Sequence, residues 1–537
     1  MRKLIRGGTV YDGTGAAPQK MDILTEGALI QEMAPEIQVP EIQASEMEVV
    51  DAAGQVVTPG FVDMHRHCDV AVIRDPDFGC LELAQGITST VVGNCGLAPV
   101  PAAPQYRQAM YDYIDPVVGA VPPDCKMDTF EQWLARVQSV GLPLNMGFLV
   151  GAGAVKAAVS GYARGAMSAK ALDRAVAYVQ AGLQAGARGL SLGLMYQPEC
   201  WSTRAEMVAL AQPVAGVNGI LCTHIRGEGD SLVESVDEVI AVAETAGVPL
   251  NISHFKATGL RNWRNLVFRA IERIEAARAR GVPVTADFYP YTGGSTTLQS
   301  LLPPTVLEDD IQSMLRRMGS TAGKKRLCEE IAKPQPGWDN MAESIGWDRI
   351  IISAVNLPEH KAYQGKSLAQ LAQDLRYDDP AELVADLLYT ENGRVGIIVM
   401  SMSQQDVDDI ARLPYTALIS DALYADSTNP HPRLYGAFPH FLREYALQRQ
   451  VVSVENAIHK MTQMPARRMG LTGRGELRPG ASADLLIFGL NDFADQADFI
   501  QAKRMAKGMD RVMINGEWTW KNDARTDRQV GTLLRRL

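Results

Sequence analysis

Long apolar runs are absent from this chain. No stretch reaches the roughly 18 consecutive apolar residues that mark a membrane-crossing helix, so no spanning segment is expected. The basic start, Met1-Arg2-Lys3, breaks at Gly7-Gly8 before any apolar core long enough for a secretory signal, which predicts a protein that is not exported. Cysteine is sparse: seven residues in 537, an odd total with no Cys-x-x-Cys spacing. That composition argues against a disulfide framework and suits a reducing, cytoplasmic setting. Positive charge is also in deficit, with 52 Lys and Arg against 62 Asp and Glu and no basic run longer than Lys324-Lys325-Arg326. Nucleic acid and anionic membrane are therefore not expected as partners.

What is present is an ordinary globular composition, 46% hydrophobic and 21% charged, in a chain whose length allows about three domains, although one (β/α)₈ barrel can absorb about 250 residues or more. Both ends read as short strands and turns. Leu4-Ile5, Val10-Tyr11, Asp22-Ile23-Leu24 and Val49-Val50-Asp51 are each followed by a glycine-bearing turn, and Leu485-Leu486-Ile487-Phe488 has the same texture near the C-terminus. Asn515-Gly516, between apolar residues, predicts a type I′ hairpin. The pattern predicts a small all-β module built from residues 1–57 together with 475–537.

Between these ends, apolar runs alternate with helical stretches. The runs are Gly60 to Met64, Ser89 to Gly93, Leu144 to Val150, Gly189 to Leu194, Gly219 to His224, Pro249 to His254, Val282 to Phe288 and Ala417 to Asp421. Eight buried parallel strands with crossover helices predict an α/β fold, a (β/α)₈ TIM-like barrel over residues 58–474. The seventh connection is too long for one crossover. It holds further strand candidates, Arg349 to Ala354 and Gly396 to Met402, and a charged helical segment from about Glu308 to Ile331, which predicts an inserted helical subdomain over about 296–348.

Only eight histidines occur, and His65, His67, His224 and His254 each end an apolar run, where a barrel strand delivers a side chain to its C-terminal rim. In His65-Arg66-His67 a strand pleat turns i and i+2 to the same side, so both imidazoles can face one metal. A histidine pair at a strand end is also compatible with simple hydrogen bonding. The context favours the metal: Thr58-Pro59-Gly60-Phe61-Val62-Asp63 leads into the pair, and Asp484 closes a Gly-x-x-Ala-Asp-Leu turn in the C-terminal β segment.

These residues resemble the amidohydrolase superfamily, and within it the D-aminoacylase (N-acyl-D-amino-acid deacylase) family. The resemblance runs from about residue 1 to 520. It is carried by Pro59 to His67, Gly86 to Gly96, Gly189 to Leu194, Thr223 to Asp230, Ile252 to Lys256, Tyr289 to Ser295, Ser420-Asp421 and His431 to Gly436. It implies a metallo-barrel clamped by a β-sandwich from both termini. Cys95, His224 and His254 would hold one tight zinc ion, and His65 and His67, with Asp421, would build a second, weaker position. A thiolate and neutral imidazoles are good zinc donors. Taken alone, Cys95 is also compatible with a small buried residue in a glycine-rich turn.

The resemblance further places Asp421 as the general base and acid and assigns Lys256, Tyr289 and Ser295 to the substrate's α-carboxylate; Arg433 is a nearby cation that can help, and Asp426, in the same loop as Asp421, is the next candidate for proton transfer. The resemblance thus implies hydrolysis of N-acyl-D-amino acids to a carboxylate and a free D-amino acid. His360, His440 and His459 read as surface or helix residues, and His431 stays open beside Arg433. Where the family commonly has histidine in a Val-Gly-His-Gly segment, this chain has Val150-Gly151-Ala152-Gly153, which predicts a different contact to the acyl group or side chain. The rival is a cyclic-amide hydrolase of the same superfamily, such as a hydantoinase or dihydroorotase. Those enzymes commonly carry a carboxylated lysine after the fourth strand, and Ala187 to Leu194 contains none. A deaminase and a non-catalytic scaffold are weaker alternatives.

Overall fold

In the computed structural model, residues 2–38, 47–307, 311–335 and 337–536 are described. All eight expected barrel strands form. They are Phe61–Asp63, Ile87–Val92, Asn145–Phe148 continued by Val150–Gly151, Gly189–Gly193, Ile220–His224, Leu250–Ile252, Val284–Phe288 and Thr416–Leu418. Every neighbouring pair is parallel. The residues just past the eighth and first strands join the ends of this series: Asp421 N–H donates to the His65 carbonyl and His67 N–H to the Ala422 carbonyl, each at 3.0 Å. Almost every strand residue is buried, as expected where helices cover the outer face and side chains fill the interior.

The crossover helices follow from periodicity and capping. Leu232–Ala246 buries Leu232, Val236, Val239, Ile240, Ala243 and Ala246, an i, i+3, i+4 stripe facing the strands, and ends at left-handed Gly247. Arg204–Ala215 starts with a reciprocal cap in which Thr203 Oγ1 accepts the Glu206 N–H at 3.3 Å while Glu206 Oε2 accepts the Thr203 N–H at 2.7 Å. Each Val, Leu or Ile fully buried this way contributes about 1.5–3 kcal/mol. None of the described helices is long and apolar enough to cross a membrane.

Strands from both ends of the chain share one nine-stranded sheet. Its two halves meet where Val56–Pro59 pairs antiparallel with Leu485–Phe488. That second strand shows why both halves are needed. Leu485 and Ile487 enter a small core with Ile5, Ile23 and Val57, while Leu486 and Phe488 on the opposite face enter the barrel's core. Asn515 and Gly516, with φ of 49° and 80°, make the two-residue turn between Met509–Ile514 and Glu517–Lys521. Asp484 ties this sheet to the barrel, accepting from Asn515 N–H at 2.7 Å and from Asn145 Nδ2 on the third barrel strand at 3.1 Å.

Between the seventh and eighth barrel strands, Gly294–Thr297, Ile350–Ala354 and Gly396–Val399 form a separate antiparallel sheet. The helices Ile311–Met318, Thr321–Ile331 and Met341–Ile345 lie between its first two strands, and Leu368–Leu375 and Pro380–Thr390 between its last two. These elements continue to Val399. Of the charged segment expected from Glu308, residues 308–310 lie outside the described residues, as do 1 and 39–46 of the N-terminal module and 537 at its C-terminal end.

Candidate metal centre

Five of the six expected ligands lie just past strand ends. His65 and His67 follow a strand that stops at Asp63, so the pleat does not orient them. The turn does, bringing both Nε2 atoms to 3.3 Å from Asp421 Oδ1. His224 is the last residue of the fifth strand. Cys95, His254 and Asp421 adopt left-handed φ of 54°, 36° and 48°, a conformation costing a residue with a side chain about 1–2 kcal/mol. Three strained positions at one cluster mark a place where side-chain aim is held against backbone preference.

Cys95 Sγ is 3.2 Å from His65 Nε2 and 3.5 Å from His254 Nε2. It belongs to two buried sets, Cys95 with His224 and His254, and Cys95 with His65 and His67, whose ligand atoms lie within 4.8 Å of one another. Neither ring nitrogen of His224 has a hydrogen-bond partner among the described residues. Buried imidazole nitrogens left this way fit a metal-ligand role, and the thiolate-plus-imidazole donor set fits zinc.

The electrostatics follow from this crowding. Burial would raise the Cys95 thiol, but the His65 charge, the neighbouring His224 and the contacts with His254 and His65 bring it well below its ordinary value. Burial likewise opposes ionisation of Asp421, yet the Arg433 guanidinium and His65 hold it well below the carboxylate range. His65 is raised well above 6.5 against burial by Cys95 and Asp421. His224 is lowered, chiefly by burial.

Two carboxylates that the sequence reading left without a role orient His254. Its backbone N–H donates to Asp287 Oδ1 at 2.5 Å, and its ring Nδ1 lies 2.9 Å from Glu228 Oε1. With Nδ1–H donating to Glu228, Nε2 is left facing the cluster, the usual outer support of a metal-binding imidazole. Asp287 is a lone acid in an apolar strand, and Glu228 stands four residues after His224; those placements were the available signals.

The substrate-binding candidates separate. Lys256, Tyr289 and Ser295 line a cavity with His67, Cys95, His224, His254 and Asp421. Lys256 reaches it from a turn, not along a pleat, because its strand stops at Ile252. Its Nζ donates to Glu228 Oε1 at 2.6 Å and to the His254 carbonyl at 2.8 Å. Ser295 Oγ donates to the Ile397 carbonyl at 3.1 Å. Arg433 stands behind the wall, fully buried, with Nη1 2.9 Å from Asp421 Oδ2 and its guanidinium over the Tyr289 ring at 4.6 Å. His431 is a structural support, accepting the Arg433 N–H at 3.0 Å and bonding the Gly293 carbonyl at 2.8 Å.

Asp426 does not face the cavity. Its side chain is 79% exposed and pairs with Lys361, because the loop turns outward past Asp421. Ala152 is buried at the start of the helix Ala152–Ser160, outside the cavity's lining among the described residues. His360 and His440 pair with Glu391 and Asp495 away from the cluster, and His459, on the helix Val454–Met461, bonds the Gly13 carbonyl.

The profile of the family described as "Amidohydrolase family" matches residues 48–300 and 399–519. A D-aminoacylase of Alcaligenes xylosoxydans xylosoxydans is 30% identical, with 99% of this chain and 97% of the relative covered. An N-acyl-D-glutamate deacylase of the same organism is 31% identical, with 96% and 92% covered. Among solved structures, an N-acyl-D-glutamate deacylase of Bordetella bronchiseptica, complexed with zinc and a phosphonate inhibitor, superposes with a TM-score of 0.83 at 29% identity, covering 99% of each chain.

Proposed function

The chain belongs to the amidohydrolase family, in its D-aminoacylase branch, and on that premise we propose that it is a zinc-dependent hydrolase cleaving the amide bond of N-acyl-D-amino acids to a carboxylate and a free D-amino acid. The observation that carries this reading is the convergence of Cys95, His224, His254 and Asp421 on one cavity that also holds Lys256 and Tyr289.

Cys95, His224 and His254 would hold the tight metal, and His65, His67 and Asp421 would frame the second position. When bound, zinc supplies Lewis-acid polarisation of the scissile carbonyl and activation of water. The rest falls to the chain. Cys95, already favoured as thiolate, gives a charged donor. Asp421, kept anionic by Arg433, takes a proton from the attacking water and returns it to the departing amine nitrogen.

An ammonium has three N–H donors. Lys256 Nζ lies 2.6 Å from Glu228 Oε1 and 2.8 Å from both the His254 carbonyl and His254 Nδ1, and the substrate's α-carboxylate would meet this ammonium beside Tyr289 by drawing one donor away from His254. A screen of N-acetyl-D- and N-acetyl-L-amino acids for released primary amine, on protein of measured zinc content, tests the function. Release from D substrates alone is expected, and release of ammonia, or opening of a cyclic amide in preference, would overturn it.

A further inference from the structure

We propose that the cavity selects substrates with a neutral, apolar amino-acid side chain and excludes N-acyl-D-glutamate and N-acyl-D-aspartate; this rests on the deacylase reading above. Sequence identity does not choose between these specificities, because the chain is 30% identical to a D-aminoacylase and 31% to an N-acyl-D-glutamate deacylase. The cavity wall does.

The apolar part of the wall is built by Leu97, Val117, Met195, Met341, Val399 and Leu423. They arrive from separate segments. Val117 sits on the helix Arg107–Val118, Met341 on Met341–Ile345 and Val399 on the strand Gly396–Val399. Leu97, Met195 and Leu423 follow the second, fourth and eighth barrel strands. An apolar surface assembled from six separate positions suits a leucine- or methionine-like side chain, which gains by leaving water.

A side-chain carboxylate needs a cation or several donors once it is taken out of water. Apart from the clustered histidines, Lys256 is the only cation lining this cavity among the described residues. Its ammonium already meets Glu228, the His254 carbonyl and His254 Nδ1 at 2.6 to 2.8 Å, so once it turns to the α-carboxylate it has nothing to offer a second acid. Arg433 is held behind Asp421 and Tyr289. The other polar groups on the wall are hydroxyls, one of them, Tyr196 Oη, bonded to Thr296 Oγ1 at 3.0 Å, and Glu228, whose negative charge opposes a second acid.

The test compares kcat/KM of zinc-loaded, full-length enzyme on N-acetyl-D-leucine, N-acetyl-D-methionine, N-acetyl-D-glutamate and N-acetyl-D-aspartate. The apolar pair is expected to lead by about 100-fold or more, the scale of discrimination when a buried charge lacks a partner. Equal or faster turnover of either acidic substrate overturns the specificity and leaves the deacylase reading intact. No amine from any of the four overturns the deacylase reading itself. A second arm uses Met341→Arg, which puts a cation on the wall; the glutamate-to-leucine ratio is expected to rise at least tenfold, through a lower KM for glutamate. An unchanged ratio in folded, zinc-bound variant counts against the wall as the selector. If the variant does not fold, the wild-type ratio decides alone.

Discussion

Arg433 Nη1 lies 2.9 Å from Asp421 Oδ2, both side chains being buried, while Asp421 Oδ1 faces His65 and His67 at 3.3 Å. One oxygen is thus anchored to a permanent cation and the other aims at the cluster. The arrangement separates holding the charge from using it, and the residues on each side of it can be tested apart.

Asp421→Asn keeps the shape and the Arg433 contact but cannot take a proton. Turnover is expected to fall by about 10² to 10⁴-fold, the range for a positioned proton-transfer group, with most of the zinc retained on Cys95, His224 and His254. Stopped assays on the purified variant, alongside elemental analysis, check this. Near-normal kcat with zinc bound would remove Asp421 from proton transfer, and exposed Asp426 would be no replacement.

Cys95 is shared by both ligand sets, so Cys95→Ala is expected to lose metal and activity together. Wild-type protein purified and dialysed should carry about one tightly held zinc per chain, and the variant close to none, since a charged ligand has been deleted. Full zinc content in the variant would make Cys95 a packing residue only.

Lys256→Ala is expected to raise KM for N-acyl-D-amino acids more than for an analogue lacking the α-carboxylate. Because Lys256 also holds Glu228, which orients His254, zinc content must be measured in parallel. Equal losses on both compounds, or loss of zinc, would assign Lys256 to supporting the metal ligand.

Much of this site is legible in the sequence. Apolar runs ending in histidine mark barrel strands because burial on both faces leaves the pattern nowhere else to go. Less legible was how side chains are aimed past a strand end. His65, His67 and Lys256 look like pleat partners in the sequence, but the strands stop at Asp63 and Ile252 and turns do the aiming, with a positive φ at His254 in the second of them. Asp287 and Arg433 were harder still, since they act on residues 33 and 12 positions away, and local periodicity carries no information about such pairings. The elements between the seventh and eighth barrel strands run on to Val399 because their third strand pairs with both others, a long-range match that short apolar runs do not announce.

A buried acid beside the cluster allows a test of stability that does not depend on turnover. Glu199, 3% exposed, accepts the Gly193 N–H through Oε2 at 2.9 Å. Burial pushes its carboxyl up to about 8, against the pull of that hydrogen bond and of Lys156. In the unfolded chain the same group ionises near 4.5. Between these values the folded protein therefore holds a proton that the unfolded chain has lost. Its contribution is fully present below about pH 4.5 and falls away as pH rises toward and through 8, by roughly 5 kcal/mol at most. Glu199→Gln can accept the same N–H and carries no proton to lose. Urea unfolding at fixed zinc should show wild type and variant close together at pH 5 and the variant more stable at pH 8.5. Parallel curves across that range would mean that Glu199 ionises alike in both states, and its place beneath the Cys95 turn would then be that of an ordinary charged support.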